Sequence, residues 1–315
     1  MKHYSLFRHL LLAAYIIAVS SLTGCFTGVE STPKITPKEL KKQKIVTTPE
    51  SRLLRDIGAQ APSEWKPGKQ FYIADARAAR GAWRVDPLSA SDSIEGRIAV
   101  LRAIDTVPSL TGRPDVQLSF DVPGSDITMD FRPGFTLDQW NGLTSFTLPH
   151  FIDMDVVTDV RNTLRGNTYY ILPARRLGFD GVDTVGTRYV PVTVVDVLPA
   201  TEATPLRVVF ADDEGHVASV PMTIGDATTA RRNFETIFSI ENPRLKYKHI
   251  ADDTWQLIRH SRVRAGMTPE ECRLALGSPD SYTRIPTTAG MVERWSYTNG
   301  VYLMFEDGLL SRFNL

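Results

Sequence analysis

The chain has 315 residues, 42% of them apolar, 23% charged and 9% aromatic. That composition excludes a wholly disordered chain and a multi-span membrane protein and leaves room for about two domains. Thirty-six basic residues balance thirty-six acidic ones, so the charge gives no reason to propose a nucleic-acid partner, whose phosphates are held by excess Lys and Arg.

Residues 1–24 carry Lys2 and Arg8, then an apolar run from Leu10 to Val19, then small and polar residues ending in Leu22-Thr23-Gly24 before Cys25. The run is shorter than the roughly 20 apolar residues that span a bilayer and reads as a secretory signal peptide. The junction resembles the bacterial lipobox, in which Leu22, Thr23 and Gly24 admit a lipoprotein signal peptidase and the Cys25 thiol is alkylated by diacylglycerol. The resemblance implies acyl chains on Cys25 and a durable membrane anchor. Phe26 follows the cysteine in place of an inner-membrane retention aspartate, which implies an outer-membrane address, and no acidic cluster of the kind that exports some lipoproteins to the cell surface follows Cys25, which favours the periplasmic face. Residues 25–49 hold Pro33, Pro37 and Pro49 among five lysines and read as a flexible tether.

The middle of the chain repeats itself. Gly68 to Arg77 aligns with Gly166 to Arg175 at an offset of 98, identical at five of ten positions, and an offset of 91 then matches Arg97, Asp105, Pro108, Pro114, Asp121 and Gly124 to Arg188, Asp196, Pro199, Pro205, Asp212 and Gly215. Each copy reads as β. Val116, Leu118, Phe120 and Val122 alternate with polar residues, and after Pro123-Gly124 the alternation resumes at Ile127, Met129 and Phe131. Tyr189–Leu198, Leu206–Phe210 and Val217–Thr223 are the strands expected of the second copy, and short helices precede both. These patterns predict two antiparallel β modules, residues 50–150 and 151–226, as small barrels or sandwiches, with SH3-like barrels among the forms that fit. Residues 227–249 are expected to be a helical linker.

From residue 250 onward a helix around Trp255, Leu257 and Ile258 leads to Gly266-Met267. Thr268-Pro269-Glu270-Glu271 then opens a second helix with a capping box, which Gly277 and Pro279 end. Trp295 and Tyr297 lie on a strand, Asn299-Gly300 reads as a two-residue hairpin turn, Val301, Leu303 and Phe305 line the next strand, and Asp307-Gly308 turns into a third. Gly266, Met267, Thr268, Gly277, Pro279, Trp295, Tyr297, Phe305 and Gly308 are spaced as in the SmpA/OmlA family, the BamE-like small lipoproteins of outer-membrane β-barrel assembly. Residues 250–315 resemble that family, which implies two helices covering a three-stranded meander. The whole chain is therefore expected to be mainly β with an α+β carboxy-terminal domain.

Asp153 and Asp155 superficially fit the aspartate pair of haloacid dehalogenase phosphatases, but the β context and helix-capping position read as structural. His150, His216, His249 and His260 show no metal-ligand spacing, and Asp212-Asp213-Glu214 reads as a solvated turn at Gly215. Cys272 reads as a half-buried packed thiol, and the recurring Arg77 and Arg175 as products of duplication. No catalytic residue, metal or cofactor is expected. The function expected is non-enzymatic: a lipid-anchored envelope protein with a scaffolding or assembly role through protein contacts, membrane lipid being reached through acylated Cys25. The alternative partner is peptidoglycan, gripped by the paired modules.

Overall fold

The structure is a computed structural model that describes residues 48–75, 83–86, 94–109, 112–178, 180–225, 232–287 and 290–315. Leu22, Thr23, Gly24, Cys25 and Arg77 lie outside the described residues. The fold is mainly β, with three antiparallel sheets. Among the described residues no helix is long and apolar enough to cross a membrane.

The first sheet contains β1 (Gln70–Ile73), β2 (Trp83–Asp86), β3 (Ile98–Val107), β4 (Asp115–Asp121), β5 (Thr128–Phe131) and β6 (Phe151–Asp153), in the order β2-β5-β4-β3-β1-β6. Period-2 alternation turns Phe71, Ile73, Leu101, Val116, Leu118, Phe120, Met129 and Phe131 into one core. Its edge strands meet through side chains. Trp83 of β2 stacks on Phe151 of β6 with ring centroids 4.1 Å apart, so the sheet curls around its own apolar face. Helix α1 (Pro49–Leu53) precedes this sheet, and α2 (Leu137–Asn141) buries Trp140 in its core.

The second sheet holds β7 (Thr168–Ile171), β8 (Arg175–Gly178), β9 (Asp183–Val185), β10 (Val190–Pro199), β11 (Leu206–Ala211), β12 (Val217–Met222) and β13 (Phe238–Ser239), ordered β13-β7-β10-β11-β12-β8-β9. Taking β7, β8, β10, β11, β12 and β13 as counterparts of β1 to β6 makes the two orders the same, with β9 added at one edge. The hydrogen bonds agree as well. Gly68 donates to Leu101 O as Gly166 donates to Val194 O, and Gly96 donates to Ile73 O as Tyr189 donates to Ile171 O. A bulge interrupts β3 between Leu101 and Ala103, and another interrupts β10 between Val194 and Asp196.

The register corrects the second half of the sequence alignment. Leu101 stands where Val194 stands, 93 residues on, whereas Phe120 stands where Phe210 stands, 90 residues on. A single offset of 91 averages two loop-length changes. It pairs Arg97 with Arg188, while the sheets pair Glu95 with Arg188.

The module boundaries also shift. Strand β6 runs past residue 150 and pairs with β1. Leu54, just after α1, packs into the second core together with Ile152 and Val157, Val160 and Leu164 of α3 (Met154–Leu164). Among its described residues the expected helical linker holds a short helix, α4 (Phe234–Ile237), then β13, which pairs with β7, and a 3-10 turn at Pro243–Leu245. Strands of two or three residues are too short to show alternation, so the sequence pattern carries no signal for them.

The third sheet orders β14 (Ser281–Thr287), β15 (Gly290–Ser296), β16 (Tyr302–Glu306) and β17 (Leu309–Asn314) consecutively, beneath α5 (Asp252–Arg259) and α6 (Pro269–Leu276). It has four strands where three were expected. Pro286 argues against a strand, yet β14 is an edge, where a missing N–H need not break the ladder. Residues 297–301 connect β15 to β16 through a 3-10 turn at Thr298–Gly300 in place of the expected two-residue turn. Asp307 (φ 50°) and Gly308 (φ 84°) form the tight left-handed turn the sequence implied.

Candidate functional site

The site grows from one corner of the second module. Where β10 begins, the chain takes a left-handed bend at Tyr189 (φ 57°); its counterpart in the first module is Gly96 (φ 79°). That conformation costs nothing for glycine and about 1–2 kcal/mol for a residue with a Cβ. Contacts beyond the module offset the cost. The Tyr189 ring lies 5.3 Å from that of Trp255 on α5, and its hydroxyl donates to Leu274 O at 2.9 Å.

Arg188 completes the joint. Its backbone N–H donates to Arg259 O (2.8 Å), its Nη1 to Ala275 O (2.6 Å) and its Nε to Leu172 O (2.7 Å). Leu274 and Ala275 are in the last turn of α6, and Arg259 is the last residue of α5. Helix carboxy-termini carry unpaired carbonyls and partial negative charge. A guanidinium, a phenol and an amide from one dipeptide therefore satisfy both helix ends at once. Burial lowers the Arg188 pKa and raises that of Tyr189.

Beside this joint lies a cleft of about 420 Å³, lined by Glu50, Arg188, Tyr189, Glu235, Lys246 and Tyr247 among others. Its acids are engaged. Glu50 Oε1 accepts from Ile240 N (3.0 Å) and Ser239 Oγ (3.2 Å), and Glu235 accepts from Thr48 Oγ1 (3.3 Å). Burial alone would raise the Glu50 carboxyl, but hydrogen bonds and the charge of Lys246 outweigh it and hold it low. Arg244 fixes the approach to α5 by donating to Tyr247 O, Ile250 O and Asp252 Oδ1. The arrangement is built to hold surfaces together, and its open side can receive a polar group.

The residues singled out in the third domain are structural. Thr268 and Glu271 form the capping box, with Thr268 N donating to Glu271 Oε2 at 2.8 Å. Gly266 N donates to Leu310 O and Leu310 N to Met267 O, both at 2.8 Å, which ties the interhelical turn to β17. Gly277 takes φ 89° just after α6, ahead of Pro279, and its carbonyl accepts from Tyr297 Oη at 3.1 Å. Trp295 and Phe305 are buried against each other, with centroids 4.8 Å apart. Cys272 is fully buried, beyond the half-burial expected, and burial followed by the nearby Glu271 charge pushes its thiol up to about 12.

Asp153 and Asp155 meet a partner that the sequence did not reveal. Lys69, its side chain 4% exposed, donates to Asp153 Oδ1 (3.0 Å) and also bonds Asp155. Asp153 caps α3 through Asp155 N at 2.9 Å. The histidines are dispersed: His150 faces Glu202, His216 faces Asp212, His249 faces Glu270 and His260 faces Gln256 O. Among the described residues no group of His, Cys, Asp and Glu is arranged to hold a metal ion. Asp212 Oδ1 accepts from Glu214 N and His216 N, closing its turn. Arg175 is exposed, and its neighbour Arg176 is the buried one. Sequence reasoning passed over Arg176 and Arg188. The repeat alignment carried no signal for Arg188, because its offset of 91 sets Tyr189 against Ile98; the contrast with Gly96 emerges only from the sheet register.

No protein-family model matches the chain, and no curated protein is similar to it.

Proposed function

We propose that the chain is a non-enzymatic, lipid-anchored outer-membrane protein facing the periplasm, whose folded body holds envelope partners beside the bilayer. The observation that carries this is the Leu22-Thr23-Gly24-Cys25 junction directly behind a short apolar run. Each buried methylene of an acyl chain contributes about 0.8 kcal/mol, so more than one chain makes attachment durable. Anchoring then concentrates weak binding surfaces at the membrane. Two helices over an antiparallel sheet support a BamE-like terminal domain, and the fourth strand is a departure from it. The strand order of the modules, with the first strand between the last strand and a three-strand meander, supports SH3-like barrels. Asp153 and Asp155 bond Lys69, and the Cys272 thiol is buried in the third core, structural roles that fit a binding protein.

Cys25→Ser tests the anchor. The variant is expected to leave the membrane fraction for the soluble periplasm, and continued pelleting with membranes would refute the assignment. The duplicated sheet favours a second reading, in which the paired modules grip peptidoglycan. Co-sedimentation of the purified chain with isolated cell wall is expected under that reading and not under the first.

A further inference from the structure

We propose that a groove beside the β8–β9 hairpin binds the free carboxylate end of a short peptide that also carries an amino group. The groove encloses about 670 Å³ and is lined by Arg176, Asp180, Asp183, Gly186, Asp212 and His216 among others. That volume suits a drug-sized ligand.

Arg176 is 7% exposed. Its Cζ lies 5.7 Å from the Phe210 ring on one side. On the other, a Cβ added to Gly186 would come within 2.5 Å of Cζ, so the guanidinium lies flat against bare backbone. Nη2 donates to Thr187 O. Nε is buried without a hydrogen-bond partner. Nε of Arg207 and Arg259 is also unpaired, but those residues are only half-buried, whereas Arg176 is a buried residue, where polar groups are normally hydrogen-bonded. Burial lowers the Arg176 pKa and the Asp212 charge works against it, but both Asp212 oxygens bond the turn at Glu214 and His216, so Nε keeps no acceptor.

The rest of the lining selects the ligand. One cation faces three carboxylates, Asp180, Asp183 and Asp212, so a phosphate or other polyanion is repelled. A single carboxylate fits the planar Arg fork, and an ammonium on the same ligand fits the acidic rim. Val185, 71% exposed on β9, an edge strand among the described residues, offers an apolar contact and a strand edge along which an extended peptide can pair.

The test is calorimetric titration of the purified full chain with the dipeptide Lys-D-Ala, its carboxy-terminal amide, Lys-L-Ala and inorganic phosphate. Saturable binding of a free-acid dipeptide is expected, weakened about tenfold by amidation and by Arg176→Gln, and about threefold by Asp183→Asn at the exposed rim. A D-terminal preference would assign the ligand to wall peptides and an L-terminal preference to protein carboxy-termini; either supports the site. No saturable binding by the unsubstituted chain, equal binding of acid and amide, or tighter binding of phosphate would overturn it. Should Arg176→Gln lose its circular-dichroism signature, the amide comparison and Asp183→Asn still decide. Failure here leaves the membrane anchor, tested by Cys25→Ser, untouched.

Discussion

Lys69 shows how much a single side chain can be asked to hold. It sits over the Trp65 and Phe71 rings at 5.7 and 5.5 Å and bridges β6 to α3 through Asp153 and Asp155. Removing one partner of a buried pair strands the other charge, which costs about 3–5 kcal/mol. Lys69→Met is therefore expected to destabilise by roughly that amount in urea unfolding. Asp155→Asn, at a half-exposed carboxylate, is expected to cost about 1 kcal/mol or less. Cys272 gives a second test at this scale. With its thiol pushed up to about 12, a folded Cys25→Ser chain at pH 8 is expected to resist thiol reagents and to react once unfolded. The sequence displayed the aspartates as a pair but not their lysine, because nothing local links residues 84 positions apart.

Elements depend on contacts of the same kind. In β15, Glu293 accepts from Arg284 Nε at 2.6 Å and from the Trp295 indole. Burial alone would raise this carboxyl, but the Trp295 and Arg284 hydrogen bonds and the Arg284 charge outweigh it and hold it below the ordinary 4.5. A depressed carboxylate stabilises the fold above its unfolded pKa and loses that contribution as pH falls through the folded value. Glu293→Gln is thus expected to lower stability at pH 7, by a difference that shrinks as the pH falls below the ordinary carboxyl value, as denaturant midpoints along a pH series will show. The sequence announced the longer elements well. The capping box at Thr268, the strand alternation from Val116 and the short helix preceding the second module were all legible, because each repeats its signal over several residues. Strands β6, β9 and β13 are two or three residues long and owe their existence to neighbours. The candidate site was not legible in the sequence, whose repeat alignment set Tyr189 against Ile98; the glycine-to-tyrosine contrast needs the sheet register, and it acquires meaning only once α5 and α6 are seen to end there.

Among the described residues the cores share side chains: Leu54 and Ile152 pack into the second core, and Tyr189 packs against the third. The third core docks on the second through Arg188 and Tyr189. Tyr189→Phe removes one hydrogen bond and keeps the ring, and is expected to cost about 1 kcal/mol. Arg188→Ala leaves the Ala275 carbonyl without its donor and is expected to split a single thermal unfolding transition into two, the first accompanied by a change in Trp255 fluorescence. The bend at Tyr189 also offers a handle to anyone redesigning the molecule. Glycine there would relax the torsion that the tyrosine tolerates and at the same moment release the latch. One substitution should then leave the middle module slightly sturdier while setting the terminal module swinging, a trade between rigidity within parts and rigidity between them that few other positions allow.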